Sequence, residues 1–307
     1  MVTREEKNKD IQKEIENEKS RERRIKLVKV FFKITIIIIA LFFIFYLYAK
    51  YCPTIGLIVK EERIINQNIP NSFNGTKIIQ FSDLNYGATI YENELKNLVK
   101  VINKRKPDIV VFTGNIVNKN YNLTTKEQEK IIKYLKNINS NIGKYAVMGK
   151  NDDRNNFSTI MNQSDFIVLD NNYDLIYNDN STILITGLSS YVNGDRNIDN
   201  AFKYFKEETH NSNIYTISIM SETEDLDEII TNYNPHLVLA GNSLNGEIRL
   251  PLIGGIIKQE GSSKYIDEYY KVDNTKVYIS SGISSPTVGF RLLNNPSINF
   301  FRITNKK

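Results

Sequence analysis

The stretch Ile78-Ile79-Gln80-Phe81-Ser82-Asp83-Leu84-Asn85-Tyr86-Gly87 decides the fold. A short apolar run ends on Ser-Asp and breaks at a glycine, the pattern of a buried strand that delivers a carboxylate to a loop. Four later segments repeat the plan. Pro107-Asp108-Ile109-Val110-Val111-Phe112-Thr113-Gly114-Asn115 and Tyr145-Ala146-Val147-Met148-Gly149-Lys150-Asn151-Asp152 are apolar runs closed by glycine and polar residues. Ile217-Ser218-Ile219-Met220-Ser221-Glu222 is the fourth, and Leu237-Val238-Leu239-Ala240-Gly241-Asn242-Ser243-Leu244-Asn245-Gly246-Glu247-Ile248-Arg249-Leu250-Pro251 the fifth.

Taken in order and at this spacing, the five segments resemble the metal-binding loops of calcineurin-like metallophosphoesterases, of the membrane-tethered bacterial type. The first is similar to Ser-Asp-Leu-His-x-Gly, with Asn85 at the histidine. The second resembles the strand ending in Gly-Asp, whose aspartate bridges two metal ions, with Asn115 at that position. The third aligns with Gly-Asn-His-Asp, so that Lys150 stands at the asparagine ligand, Asn151 at the catalytic histidine, and only Asp152 is retained. The fourth resembles a His-Glu pair with Ser221 at the histidine. The fifth resembles Gly-His-x-His-Gly-Gly-Gln followed by Arg-Leu-Pro, with Asn242 and Leu244 at its histidines. Likeness extends from about Ile55 to Ile303, through the Ile69-Pro70 to Lys77 lead-in and the closing strands from Tyr278 to Ile298.

The resemblance implies a two-sheet αββα sandwich with the loops gathered at the strands' carboxyl ends. It also implies that the chemistry has been erased. The family's set sets two aspartates, an asparagine and several histidines against two divalent cations. Here Asp83 contributes −1 and Lys150 +1. A net ligand charge of zero, with a fixed ammonium at the site, opposes divalent binding in a partly desolvated pocket. Leu244 cannot ligate. Metal-assisted hydrolysis needs an ion that lowers the pKa of its bound water, and imidazole is a favoured donor for such ions. The chain holds only His210 and His236, both outside the five loops. No cofactor is therefore expected; an active protein would use two divalent ions such as Mn, Fe or Zn. Asp83 is expected to pair with Lys150 or to accept from a loop amide, and Lys150 to place its ammonium where a cation was lost. Asn85, Asn115 and Asn242 keep hydrogen-bonding shape without charge or imidazole. Gly246, Arg249 and Pro251 are read as loop geometry.

Residues 30–50 form a second signal. Val30 to Ala49 is interrupted only by Lys33 and is long enough to cross a bilayer as a helix. Lys33 can snorkel, and Tyr46, Tyr48 and Tyr51 fall where an aromatic belt belongs. Arg21, Arg23, Arg24, Lys26 and Lys29 precede the run and only Lys50, Lys60 and Arg63 follow closely, so the N-terminus is expected in the cytoplasm and the large domain outside the cell membrane. A cleaved signal is not expected, and Lys50-Tyr51 before Cys52 is a poor lipidation site.

Residues 1–29 mix ten basic with seven acidic residues, a charged helix or tail whose +3 accounts for most of the formal +5. The rest is close to neutral, which gives no reason to expect nucleic-acid binding. Residues 51–74 read as linker and lead-in strand, and 75–307 as the phosphoesterase-like domain. One cysteine excludes an intrachain disulfide, so that domain rests on its core. Leu95, Leu98, Val99 and Ile102, then Ile131, Ile132, Leu135 and Ile138, recur at helical spacing between strands. Later strands are expected near 166–169, 182–186, 214–219, 237–240, 277–280 and 299–303, with a helix near 201–207.

Three functions follow from these readings. One is a membrane-anchored pseudophosphatase that binds a phosphorylated ligand or a protein outside the membrane. Another is a phosphoesterase with a reduced site around Asp83, Asn85, Asn115 and Asp152. The last is a structural membrane component whose span and tail carry the role.

Overall fold

The computed structural model describes residues 4–51, 56–194, 196–206 and 213–306, so His210 and Cys52 lie outside the described residues. The chain divides into two compact units, Met1–Cys52 and Pro53–Lys307. The first is one helix, α1 (Arg4–Tyr51). It contains no glycine or proline, the two residues that most disfavour a helix interior. Charged in its first half, it turns apolar on every face in its second, where Ile37, Phe42 and Ile44 are exposed. It is long and apolar enough to cross a membrane.

The second unit is mixed α/β. In chain order it contains β1 (Ile58–Ile65), β2 (Lys77–Phe81), α2 (Glu92–Lys104), β3 (Ile109–Thr113), α3 (Thr125–Lys136), β4 (Gly143–Val147), α4 (Arg154–Gln163), β5 (Ile167–Val168), β6 (Asn172–Asn178) and β7 (Ser181–Gly187). There follow α5 (Ile198–Ala201), β8 (Thr216–Met220), α6 (Leu226–Tyr233), β9 (Leu237–Ala240), β10 (Arg249–Leu250), β11 (Gly254–Gly255), β12 (Tyr269–Val272), β13 (Thr275–Ile279) and β14 (Ser297–Thr304). One six-stranded sheet runs β1-β14-β2-β3-β4-β5 and the other β12-β13-β9-β8-β7-β6.

Alternation along the strands builds the layers, because successive side chains face opposite ways. Ile79, Phe81, Val110 and Phe112 pack under Leu95, Leu98, Ile131 and Leu135 of α2 and α3. Their neighbours Ile78, Ile109 and Val111 face Ile183, Ile185, Ile217 and Leu239 of the second sheet. Beyond that sheet, Val238, Ala240 and Val277 meet Leu226 and Ile229 of α6. The order helix, sheet, sheet, helix is the expected αββα sandwich. Gln80 is buried between the sheets, where its amide donates to the Ala240 carbonyl at 2.8 Å and its oxygen accepts from Asn299 at 3.0 Å.

The strand read within the 51–74 lead-in is β1, an edge strand paired in parallel with β14. Other elements depart from the sequence reading. β6 and β12 carry Asn, Asp, Lys and Tyr with no apolar run to announce them; both lie at sheet edges and pair antiparallel with β7 and β13. α4 is rich in Asn, Ser and Thr, weak helix formers, but Asp153 caps it by accepting from the Asn156 amide, and Phe157, Ile160 and Met161 bury one face. The helix expected near 201–207 is the short α5 followed by a tight turn over Lys203–Lys206, with residue 207 outside the described ones.

Candidate functional site

Parallel strands β2, β3, β4, β8 and β9 end on the same side of the sandwich, so their loops converge. Two glycines set how closely. A Cβ on Gly114 would sit 2.7 Å from the Gly149 amide nitrogen and 2.9 Å from Ser221 Oγ; one on Gly241 would sit 2.1 Å from Ser82 Oγ. The first and second sheets therefore meet at their loops with no side chain between. Asp83, Asn85, Asn115, Asn242 and Leu244 all have positive φ, between 39° and 62°. Asn and Asp tolerate this region, whereas Leu244 is strained there, and such residues gather where loops are shaped for a site.

Asp83 is fully buried, and each of its oxygens is engaged. Oδ1 accepts from Asn115 Nδ2 at 2.8 Å, and Oδ2 accepts from Ser82 Oγ at 2.7 Å and from the Asn242 amide at 3.0 Å. Burial pushes its carboxyl up to about 6, against these hydrogen bonds and the charge of Arg291. Asn115 completes the link through its oxygen, which accepts from the Asn151 amide at 3.0 Å. Two groups that would repel each other as aspartates are thus joined directly, donor to acceptor.

Asp152 lies deeper. Oδ2 accepts from the Asn115 and Gly149 amides at 2.7 and 2.8 Å, and Oδ1 from Ile116 at 2.6 Å. Burial lifts its carboxyl to about 7 even so. Its place is structural, fastening the second loop to the third. Asn85 Nδ2 donates to Ser284 Oγ at 3.0 Å, and Asn85 Oδ1 accepts from Asn151 Nδ2 at 3.5 Å. Asn242 donates to the Glu260 carbonyl and to Ser262 Oγ at 2.8 and 2.9 Å. Ser221 Oγ is buried without a hydrogen-bond partner. Leu244 Cδ2 would stand 2.4 Å from a Cβ at Gly282, so its hydrocarbon fills the floor beside Asp83.

Lys150 departs from the expectation that its ammonium replaces a cation next to Asp83. Its Nζ lies 3.3 Å from both Gln259 Oε1 and the Glu260 carbonyl, half-buried, and burial lowers its pKa. The loop turns its side chain toward the 259–260 segment, while its backbone amide donates to Glu222 at 2.7 Å. Of the two partners expected for Asp83, the loop amide of Asn242 is the one in contact.

Residues outside the expected set complete the site. Glu222 is buried against Arg196 at 3.4 Å and accepts from the Tyr191 amide at 2.9 Å. Burial raises its pKa, opposed by Arg196. Arg291 is fully buried; Nε donates to Ser285 Oγ at 3.1 Å and Nη2 to the Ser284 carbonyl at 2.5 Å, and its charge faces Glu247 and Asp83. An arginine inside the apolar closing stretch Val288-Gly289-Phe290-Arg291-Leu292 was the available signal. His236 is far from this cluster in role: its Nδ1 accepts from the Thr216 amide at 3.1 Å, and its ring stacks on Tyr215. Arg249, read as loop geometry, pairs with Asp267 at 2.7 Å.

The donor set does not fit the pair of divalent ions that this family usually binds. Asp83 is saturated by three donors, Asp152 is directed onto backbone amides, and Glu222 is neutralised by Arg196. Among the described residues, no group of three His, Cys, Asp or Glu side chains could hold a metal ion. What the loops do offer is a polar, asparagine-rich surface. A cavity of about 340 Å³ opens beside Asp152, lined in part by Asn118, Lys119, Tyr121, Asn151 and Asn156.

Comparison with known proteins agrees with the architecture. The calcineurin-like phosphoesterase family matches residues 76–244. The chain is 28% identical over 264 residues to the uncharacterized metallophosphoesterase YkuE of Bacillus subtilis, covering 84% of this chain and 89% of that one. It is 24% identical to the uncharacterized metallophosphoesterase Cj0846 of Campylobacter jejuni, across 83% of this chain and 65% of the relative's length. A shorter stretch, 31% of this chain and 21% of the relative, is 26% identical to a transmembrane protein with a metallophosphoesterase domain from Danio rerio. With the family match spanning all five strand-and-loop segments up to Leu244, the chain belongs to the calcineurin-like phosphoesterase family.

Proposed function

We propose that this chain is a catalytically inactive member of its family, a pseudophosphatase held in the cell membrane by α1, whose domain binds a ligand or protein partner outside. The observation that carries the reading is the direct hydrogen bond from Asn115 to Asp83 across the position where two aspartates would share metal ions. A metal pair neutralises converging carboxylates; here one of the two is replaced by an amide that donates to the other, so no ion is needed to relieve repulsion. Leu244 and Ser221 remove two more donors. The degenerate positions Asp83, Asn85, Asn115, Lys150, Asn151, Asp152, Ser221, Asn242 and Leu244 then serve to hold the loops and the asparagine-rich cavity in shape.

Anchoring rests on the length and apolarity of α1, and orientation on the basic cluster Arg21 to Lys29 before its apolar half. Residues 1–29 form the cytoplasmic part, 30–50 the span, and 75–307 the external domain after a lead-in. The domain from Ile55 to Lys307, assayed with added manganese on phosphomonoesters and phosphodiesters, is expected to show no turnover above a protein-free blank. Metal-dependent turnover that Asp83→Ala abolishes would overturn the inactive reading. Protease added outside intact cells is expected to remove the domain and spare the tail; the reverse would overturn the orientation.

A further inference from the structure

The end of the domain opposite the degenerate loops holds a second cavity, of about 610 Å³. His236 stands immediately before β9 and Asn242 just after it, so the length of that strand separates the two places. The cavity's walls come from the turn after β1, the residues ahead of β9 and the β12–β13 hairpin. Its volume is that of a small-molecule pocket.

Register gives the hairpin wall its character. Lys271 and Lys276 are paired directly across β12 and β13, on the face where Tyr278 packs on Phe301 of β14 with ring centroids 4.9 Å apart. That face looks toward the first sheet, and the two lysines carry it into the cavity. Directly opposed like charges destabilise a strand pair. Nothing in the fold offsets this pair: among the described residues, no carboxylate lines the cavity and neither lysine forms an ion pair. Asp273, at the hairpin tip, is exposed and lies outside the lining. Lys276 Nζ donates to the Ile65 carbonyl at 3.4 Å, a neutral acceptor that fixes the ammonium in place without cancelling its charge.

The remaining lining suits hydroxyl groups. The side chains of Gln67 and Asn274 make no hydrogen bond with another described residue. Asn66 accepts from the Asn68 backbone amide at 2.9 Å through its oxygen, which leaves its amide nitrogen without a partner among the described residues. Side-chain amides both donate and accept, as a sugar's hydroxyls require. His236 supplies shape and no charge. Its Nδ1 accepts from the Thr216 amide, so the proton of the neutral ring is on Nε2, which meets the Asn68 side-chain amide at 2.8 Å. Both ring nitrogens are thereby engaged, and the ring is stacked on Tyr215 with centroids 5.1 Å apart.

We propose that this cavity binds a sugar phosphate, with the phosphate between Lys271 and Lys276 and the hydroxyls on the amides of Asn66, Gln67 and Asn274. Two opposed ammonium groups match the charge of a phosphate monoester, about −1.5 to −2 near neutral pH, and lysine takes phosphate as a point charge. The site shares no residue with the degenerate loops, so it stands or falls apart from the inactive reading.

Residues 53–307 hold both sheets and all the core clusters as one compact unit, so this unit is tested without α1. Titration calorimetry at low salt, with a chelator present, is expected to show glucose 6-phosphate binding to one site per chain, and inorganic phosphate and glucose each binding at least about tenfold more weakly. Lys271→Gln and Lys276→Gln are each expected to lower the affinity for glucose 6-phosphate at least about tenfold, the loss of one charge-assisted contact. Lys271→Gln, at an exposed position, is expected to melt no lower than the native domain, because it removes the cross-strand repulsion. Gln67→Ala combined with Asn274→Ala is expected to weaken glucose 6-phosphate and leave inorganic phosphate unchanged. Failure of the native domain to bind either phosphate would overturn the proposal. So would binding that survives both lysine substitutions and is lost in Lys150→Gln, which would put the ligand in the degenerate loops. Equal affinity for inorganic phosphate and glucose 6-phosphate would overturn the sugar assignment.

Discussion

Asn115→Asp restores the family's bridging carboxylate and should expose what the present site has replaced. The substitution turns the 2.8 Å donor–acceptor contact between Asn115 and Asp83 into two carboxylate oxygens at about the same separation. Two unit charges about 3 Å apart repel by about 5–6 kcal/mol at an effective dielectric of about 20. A proton shared between the oxygens relieves this, so the pair's upper folded pKa rises well above the unfolded value of about 3.9. The folded state then binds more protons than the unfolded state as pH rises from about 4, and stability falls with pH. From pH 5 to pH 8 the variant loses at most about 4.1 kcal/mol, at about 1.4 kcal/mol per pH unit. The native protein loses only about 1.4 kcal/mol, because its Asp83 carboxyl, at about 6 when folded, is ionised above that pH; the variant's penalty therefore grows by at most about 2.7 kcal/mol. Urea unfolding of the 55–307 domain with a chelator present, for the native sequence and the variant at both pH values, measures the difference. A variant penalty that is equal at pH 5 and pH 8 would refute the claim that the two side chains converge in a site without a metal ion.

Other perturbations separate scaffold from pocket. Asp152→Ala leaves the buried amides of Asn115, Ile116 and Gly149 without an acceptor and should cost about 3–5 kcal/mol by chemical denaturation, at about 1–3 kcal/mol for each unsatisfied group with partial relief by water. Arg196→Met strands the buried Glu222 carboxylate and should cost about 3–5 kcal/mol, read in the same assay. Burial lowers the pKa of His236 below its ordinary 6.5, and its Nδ1 already accepts from the Thr216 amide. The folded state therefore binds fewer protons than the unfolded state near pH 6, and stability should fall as pH drops through that window; in His236→Gln this component of the melting-temperature profile should vanish.

How much of this was legible follows from where each signal lay. β2, β3, β4 and β9 are apolar runs closed by glycine, so strand, loop and order all appear in sequence, and with them the sandwich. Edge strands β6 and β12 were not, because strands with one face in water need no apolar run and are specified by the partners they pair with. At the site, family order located Asn85, Asn115 and Asn242, but it could not say which atom each amide would meet. Lys150 shows the limit most clearly. Charge balance alone favours an ammonium beside Asp83, whereas the third loop's backbone, pinned by Asp152 and by the Lys150 amide on Glu222, directs the side chain toward Gln259. Arg291 and Arg196 escaped notice because the pairing of buried charge is a tertiary property, joining residues that no local pattern connects.

The central claim is that hydrogen bonds among Asp83, Asn115, Asn151 and Asn242 stand where a metal pair would be. Manganese added to the 55–307 domain and followed by the paramagnetic resonance of the free ion tests this most directly, because bound ions lose that signal whether or not a substrate is known. The account predicts that the free-ion signal rises with added manganese as it does in buffer alone. Removal of one or two ions per chain from the free pool, abolished by Asp83→Ala, would contradict it.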